Sequence, residues 1–213
     1  MDLNYWAAAY LAQATLKAWL KPSSGPKSDK AGGSGKADSE GKRHFIMTST
    51  TACFVGVAGY GPYAAPKAAM RSLADTLHSE VNLYNGARRG QHGGPAADIA
   101  VHLVCPGGIK SPGWENEEKT KHEITKILEK DDPQQTEDEV AAAAVSGLEK
   151  GGYIVTTQFL GHAMRASMLG GSARNNWFVD TVFSWVTAVV WLFVGPDLDG
   201  KVWKYGKKNG MGN

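Results

Sequence analysis

Tyr63 and Lys67 stand four residues apart in "YGPYAAPK", residues 60–67, so on a helix they share a face. A phenol titrates near pH ~10 and is a poor proton donor to a carbonyl at neutral pH, unless a neighbouring cation stabilises the phenolate. An ammonium one turn from a tyrosine supplies that cation, which makes the pair a candidate for general acid catalysis. Alone the spacing is weak, because a buried aromatic and a surface lysine satisfy it equally well. Its surroundings add weight. A strand ending in Thr48, Ser49 and Thr50 brings hydroxyls to its C-terminal edge, where open parallel sheets place their ligands, and "CPGGIKS" at 105–111 opens on the same edge.

The elements that must hold these residues follow from periodicity. Residues 1–22 are rich in Ala and Leu at helical spacing and close on Pro22. "HFIMTST" (44–50) is a short apolar run with a β-branched end, followed by a small-residue loop and a helix over 62–84. "IAVHLVCPGG" (99–108) is a second buried strand stopped by Pro-Gly, and "GYIVTT" (152–157) a third. Charged helices are expected over 115–130 and 137–149, the latter capped by Thr136. This alternation indicates a parallel α/β layer. Pro66 forfeits one backbone hydrogen bond, and a helix starting at Pro62 confines that cost to its first turn.

Composition narrows the possibilities. The chain has 213 residues, 42% of them hydrophobic and 21% charged, enough for one domain with a core and an appendage. Its formal charge is +2, but basic residues concentrate in 21–43 and 201–213, so the remainder is net negative and offers no groove for nucleic acid. Residues 21–43, dominated by Gly, Ser, Lys and Asp, read as a disordered insert. Its "GGSGK" lacks both a preceding strand and the first glycine of a phosphate loop. Cys53 and Cys105 have no metal or C-x-x-C spacing, which favours a reduced compartment. His122-Glu123 opens like a zinc-protease motif, but Lys126 stands where the second histidine belongs, so metal chemistry is unsupported.

Residues 177–194 hold 14 apolar or aromatic residues of 18, roughly 27 Å of helix against a hydrocarbon core of about 30 Å. Asp180, Thr181, Ser184 and Thr187 fall on one face, which suggests an interfacial helix or a short span packed on a partner. A core or homo-oligomer interface helix is the plainer reading. Trp185 and Trp191 are expected to pack, and Arg165 to be a surface residue or to meet a substrate headgroup.

These residues together resemble the short-chain dehydrogenase/reductase family. The resemblance implies an α/β fold, the C-terminal portion of a Rossmann-like doubly wound parallel sheet over 1–174, followed by a membrane-associated apolar helix and basic tail over 175–213. "MDLNY" is similar to the family's M-x-x-N-Y helix start, which implies that Asn4 holds a water in a proton relay. By the same resemblance Ser49 or Thr50 binds the substrate oxygen, and Tyr63 is the general acid. Lys67 holds the cofactor ribose and lowers the tyrosine's pKa. Pro106, Gly107, Ile109 and Ser111 resemble the segment that contacts the nicotinamide of NADPH. "GYGPYAAPKAAMRSLADTLHSEVNLYN", "PGGIKSPGWENEEKTK" and "GGYIVTTQFLG" are similar to the branch that reduces a long-chain keto-sphingoid base at the cytosolic face of the endoplasmic reticulum membrane.

The sequence departs from the family in two further ways. The family's hydroxyl lies 13 residues before the tyrosine, which here is Thr50, with Ser49 one place earlier. No strand with a glycine-rich turn precedes Asn4, so the resemblance implies that on the order of 100 residues of the dinucleotide-binding half are missing. The strand at 44–49 is then expected to carry an open edge. Two other readings stay open: an inactive membrane-attached chain that binds a partner, and a reductase of another lipid or steroid ketone.

Overall fold

A computed structural model describes residues 1–21, 41–89 and 95–209. Apart from its ends, the insert expected over 21–43, "GGSGK" included, lies outside the described residues. The chain begins with a π-helical turn, Asp2–Trp6, that runs into α1, Ala7–Trp19. The sheet strands are β1 (Arg43–Thr48), β2 (Ile99–Cys105) and β5 (Ile154–Thr156), all parallel in the order β1-β2-β5. Met47 pairs with Leu103, and Leu103 with Ile154. Parallel neighbours need crossovers; α2 (Gly61–Arg89) supplies the first.

Burial explains the strand sequences. Central β2 is buried at almost every position and reads as an unbroken apolar run, as a strand covered on both faces must. β1 alternates in its last four residues, hiding Phe45 and Met47 and exposing Ile46. Among the described residues β1 pairs only with β2, leaving the open edge that the sequence led one to expect. On α2, Pro66, Met70, Ala74, Leu77 and Val81 recur every three or four residues and form the stripe that meets β2 and α1. Each fully buried aliphatic side chain of this core contributes about 1.5–3 kcal/mol.

After β2 come a two-residue strand β3 (Gly108–Ile109), α3 (Pro112–Thr120), α4 (Glu123–Glu129) and β4 (Gln134–Gln135), with β3 and β4 paired in parallel. The single helix expected over 115–130 is thus two, divided where Lys121 and His122 take extended backbone. α5 (Glu137–Glu149) starts with the expected Thr136 cap, a reciprocal capping box with Glu139. α6 (Phe159–Ser167) was not expected from the sequence.

The last helix, α7, spans Trp177–Asn209 and continues through Gly195 and Pro196, well past residue 194. It is long and apolar enough to cross a membrane, with a mean hydropathy of 1.7 over its most apolar window. Its polar stripe turns toward the domain: Asp180 and Thr187 are its buried residues. Thr181, Ser184 and Thr187 donate their hydroxyl protons to carbonyls of their own helix. Arg165 is neither on the surface nor free for a headgroup. It is buried on α6 in a two-pronged ion pair with Asp180, at 2.6 and 3.2 Å.

Candidate active site

The C-terminal ends of β1 and β2 are stitched together. The Ser49 amide donates to Val104 O at 2.7 Å and the Thr51 amide to Pro106 O at 2.9 Å. Beside them the N-terminal turn of α2 presents Tyr63 and Lys67, and a cavity of about 370 Å³ opens between these segments. Thr48, Ser49, Thr50, Tyr63, Lys67, Pro106, Gly107, Ile109 and Ser111 all line it. Asn4 is not among the lining residues. It sits half-buried in the π-helical turn, and the cap position of that turn is Met1, so Asn4 does not cap it either.

Tyr63 and Lys67 do share a face despite Pro66, which falls early in a helix beginning at Gly61. The ammonium lies 5.9 Å from the centre of the Tyr63 ring and donates to Thr48 O at 3.4 Å. Burial lowers the Lys67 pKa, with the thiols of Cys105 and Cys53 working in the other direction. Burial likewise pushes the Tyr63 phenol up, against the lowering by Lys67 that the resemblance implied; hydrogen bonding with Thr50 opposes the rise and Glu117 adds to it.

The two candidate hydroxyls differ. Ser49, 4% exposed, donates to Lys67 O at 3.2 Å and so braces the strand end against α2. Thr50 caps the short 3-10 turn Thr51–Cys53, accepting from the Ala52 amide at 3.4 Å, and interacts with the Tyr63 phenol. Across that turn the buried sulfurs of Cys53 and Cys105 lie 3.8 Å apart.

Gly107 is where the backbone must pass closest to a neighbour. A Cβ there would stand 2.0 Å from Gln158 Nε2. The side chain of Ser111 accepts from the Trp114 amide at 3.2 Å and starts α3 over the cavity.

The opposite wall was not expected from the sequence. Tyr60 donates toward Glu117 (2.8 Å) and Glu129 (3.0 Å). Burial carries its pKa far up; Lys121 pulls it down and Glu117 raises it further. Lys121 is 4% exposed in its side chain and pairs with Glu129 at 2.9 Å and Glu118 at 2.5 Å. Asp132 completes the wall, its carboxyl raised to about 6 by burial, Glu129 and Asp131. The visible signal was the first tyrosine of "YGPY"; the carboxylates arrive from 57 and 69 residues away. Tyr60 is committed to carboxylates, whereas Tyr63 faces a hydroxyl and an ammonium. The arrangement can deliver a proton to an oxygen placed between Tyr63 and Thr50.

The short chain dehydrogenase family model matches residues 37–122. The chain is 47% identical to 3-ketodihydrosphingosine reductase ksrA of Aspergillus fumigatus, over 99% of this chain and 56% of that protein. It is 38% identical to 3-ketodihydrosphingosine reductase gsl-3 of Neurospora crassa, over 99% of this chain and 52% of that protein. The chain thus spans about half the length of the curated relatives it matches. A short chain dehydrogenase from Burkholderia cenocepacia, solved in complex with NADP, has a TM-score of 0.40 and 17% identity, covering 60% of this chain and 42% of its own.

Proposed function

We propose that this chain, whose residues 37–122 match the short chain dehydrogenase family model, carries the proton-delivering half of a nicotinamide-dependent oxidoreductase of that family. Its substrate is the ketone of 3-dehydrosphinganine, reduced to the alcohol with NADPH. The observation that carries the reading is the convergence of Thr50, Tyr63 and Lys67 on one cavity at the ends of β1 and β2. The names of the relatives support the substrate.

When bound, the nicotinamide dinucleotide supplies a hydride to the carbonyl carbon. This chain's residues fit its nicotinamide-ribose end: Lys67, which donates one proton to Thr48 O, has further donors that would reach a ribose hydroxyl, and Pro106, Gly107, Ile109 and Ser111 would form the wall beside it. Thr50 donates to the ketone oxygen and fixes the carbonyl against Tyr63. As negative charge develops on that oxygen, Tyr63 gives up its phenolic proton, and the nearby Lys67 ammonium stabilises the phenolate that remains. Carbonyl becomes alcohol by gain of one hydride and one proton. Asn4, which lies in the turn Asp2–Trp6 and does not line the cavity, is assigned the water of the proton relay from the family resemblance.

Residues 1–174 form the reductase portion and 175–213 a membrane-associated one. The exposed apolar face of α7 lies on the cytosolic surface of the endoplasmic reticulum membrane, where a lipid substrate is at hand. The test is NADPH oxidation by the protein with 3-dehydrosphinganine, wild type against Tyr63→Phe. A loss of about 10²–10⁴-fold in turnover with retained cofactor binding is expected, and unchanged turnover removes the reading.

The open edge of β1 favours a second possibility, an inactive membrane-attached chain that pairs with a partner through that strand. Binding of NADPH to the purified chain at micromolar concentration would exclude it.

A further inference from the structure

A second cavity, about 590 Å³ in volume, lies beside the first and belongs to no catalytic group. It is a groove between α4, α6 and α7, walled by Val55, Leu128, Met164, Val190, Trp191 and Val194. Its size falls within the roughly 300–1,000 Å³ usual for ligand pockets. The two cavities adjoin. Glu129 and Asp132 line both, and the loop after β1 passes from one to the other, with residues 48–52 in the first and 55–58 in the second.

We propose that this groove holds the alkyl tail of the substrate, with α7 as its outer wall and Glu129 and Asp132 facing the polar head at the junction. The proposal rests on the reductase reading above. A ketone presented to Tyr63 on a long-chain base has its hydrocarbon beginning within a few bonds of the reacting carbon. That hydrocarbon needs an apolar path starting at the cavity wall, and the groove begins there.

Charge complementarity selects among amphiphiles. The junction bears two carboxylates, with Asp131 beside them and Lys121 already shared among Glu117, Glu118 and Glu129. A fatty acid would bring a third carboxylate into this field; a base headed by an ammonium brings the missing cation. Burial raises the Asp132 pKa first, and the neighbouring Glu129 and Asp131 carboxylates add to it.

The experiment is a chain-length series of keto-sphingoid bases, long, intermediate and short, on wild type and two groove-filling variants. Burial of one methylene corresponds to about a fourfold change in affinity, so kcat/KM of the wild type should fall about fourfold for each methylene removed from the buried stretch. Gly56→Leu extends into the groove from a position where an added Cβ meets nothing within 4 Å, and Ala163→Phe fills it from α6. Both should lose at least about tenfold on the long substrate and leave the short one unaffected. A wild type indifferent to chain length, or a series unchanged in both variants, overturns the proposal. If the wild type reduces no ketone of the series, the reductase reading falls, and a binding measurement decides the groove separately. Trp191 and Trp203 line it, so a long-chain base brominated on its tail should quench tryptophan fluorescence in the wild type and not in Gly56→Leu. No quenching overturns the groove assignment.

Discussion

Replacing Asp180 by Asn should destabilise the protein more than any other single change outside the sheet core. Arg165 and Asp180 are 7% and 6% exposed in their side chains and 2.6 Å apart at the closer prong. Asp180 also accepts from the amides of Asn175 (2.8 Å) and Asn176 (3.2 Å), so it organises the turn into α7 as well as the ion pair. Asn preserves size and the acceptor for those amides but leaves the Arg165 guanidinium buried without a counter-charge. Removing one partner of such a pair costs about 3–5 kcal/mol. At this chain length each kcal/mol shifts Tm by about 2–4 °C, so a fall of roughly 6–20 °C is expected. Circular dichroism during thermal and urea unfolding reads it. Adding Arg165→Met to Asp180→Asn removes the stranded charge and should recover at least half of the loss. The loss should also persist at high salt, since a buried pair is poorly screened. If Asp180→Asn costs less than about 1 kcal/mol, the pair behaves as a solvated surface bridge, and α7 is not docked on α6 as described.

Three other measurements bear on the site and its supports. Thr50→Ala should lower turnover by about 10²–10³-fold, as loss of one donor to a developing oxyanion does, whereas Ser49→Ala should act mainly on stability because its proton goes to Lys67 O; steady-state rates showing the reverse order would reassign the hydroxyl. Asp132 titrates at about 6 against an ordinary 3.8. The folded chain therefore holds this proton more tightly than the unfolded one, and stability falls as pH rises across that window. Asp132→Asn should add about 1 kcal/mol at pH ~7.5, after discounting for a half-exposed group, and nothing at pH ~4; equal gains at both pH values in urea titrations would contradict the assignment. On α5 a Cβ at Gly147 would stand 2.4 Å from Val155 Cγ1, while on α2 one at Gly86 meets nothing within 4 Å. Gly86→Ala should stabilise by about 0.5–1 kcal/mol, and Gly147→Ala should destabilise by about 1–2 kcal/mol, overpacking outweighing helix propensity; Tm shifts of the same sign would refute the contrast.

What could be read from the sequence was whatever depends on local spacing. Tyr63 and Lys67 share a face because they are four residues apart, and Thr50 and Gly107 meet them because parallel strands end on one edge. The alternation of strands and helices gave the parallel layer, and the family resemblance implied which strand, β1, carries its open edge. The second wall of the site was hidden because it depends on where a long excursion returns. Glu117, Lys121 and Glu129 come back over Tyr60 only after the chain has crossed to β2 and out again, and no periodicity carries that information. α6 escaped notice since its nine residues mix Gly161, His162 and Arg165 with apolar neighbours, and it is too short for a periodic signal to stand out.

The orientation of α7 shows why a hydrophobic pattern can locate a face without saying what lies against it. Asp180, Thr181, Ser184 and Thr187 form a polar stripe whichever way the helix turns, and on an apolar helix such a stripe is naturally assigned to water or to a partner. The structure turns it inward because one guanidinium on α6 makes burial of Asp180 favourable and because threonine and serine hydroxyls satisfy themselves on their own backbone. The reversal has a geometric consequence. With the polar stripe spent on the domain, Trp177, Phe178, Trp185, Val189, Leu192 and Phe193 must point away from it, and all are more than half exposed. An apolar surface of this extent is not left in water by a stable monomer. One flank of the same helix, at Val190, Trp191 and Val194, closes the groove beside the active site. The exposed apolar face and the wall of the groove are thus two sides of one helix, tied to α6 by the buried Arg165–Asp180 ion pair. Breaking that pair should therefore disturb chain-length selectivity before it disturbs the chemistry at Tyr63.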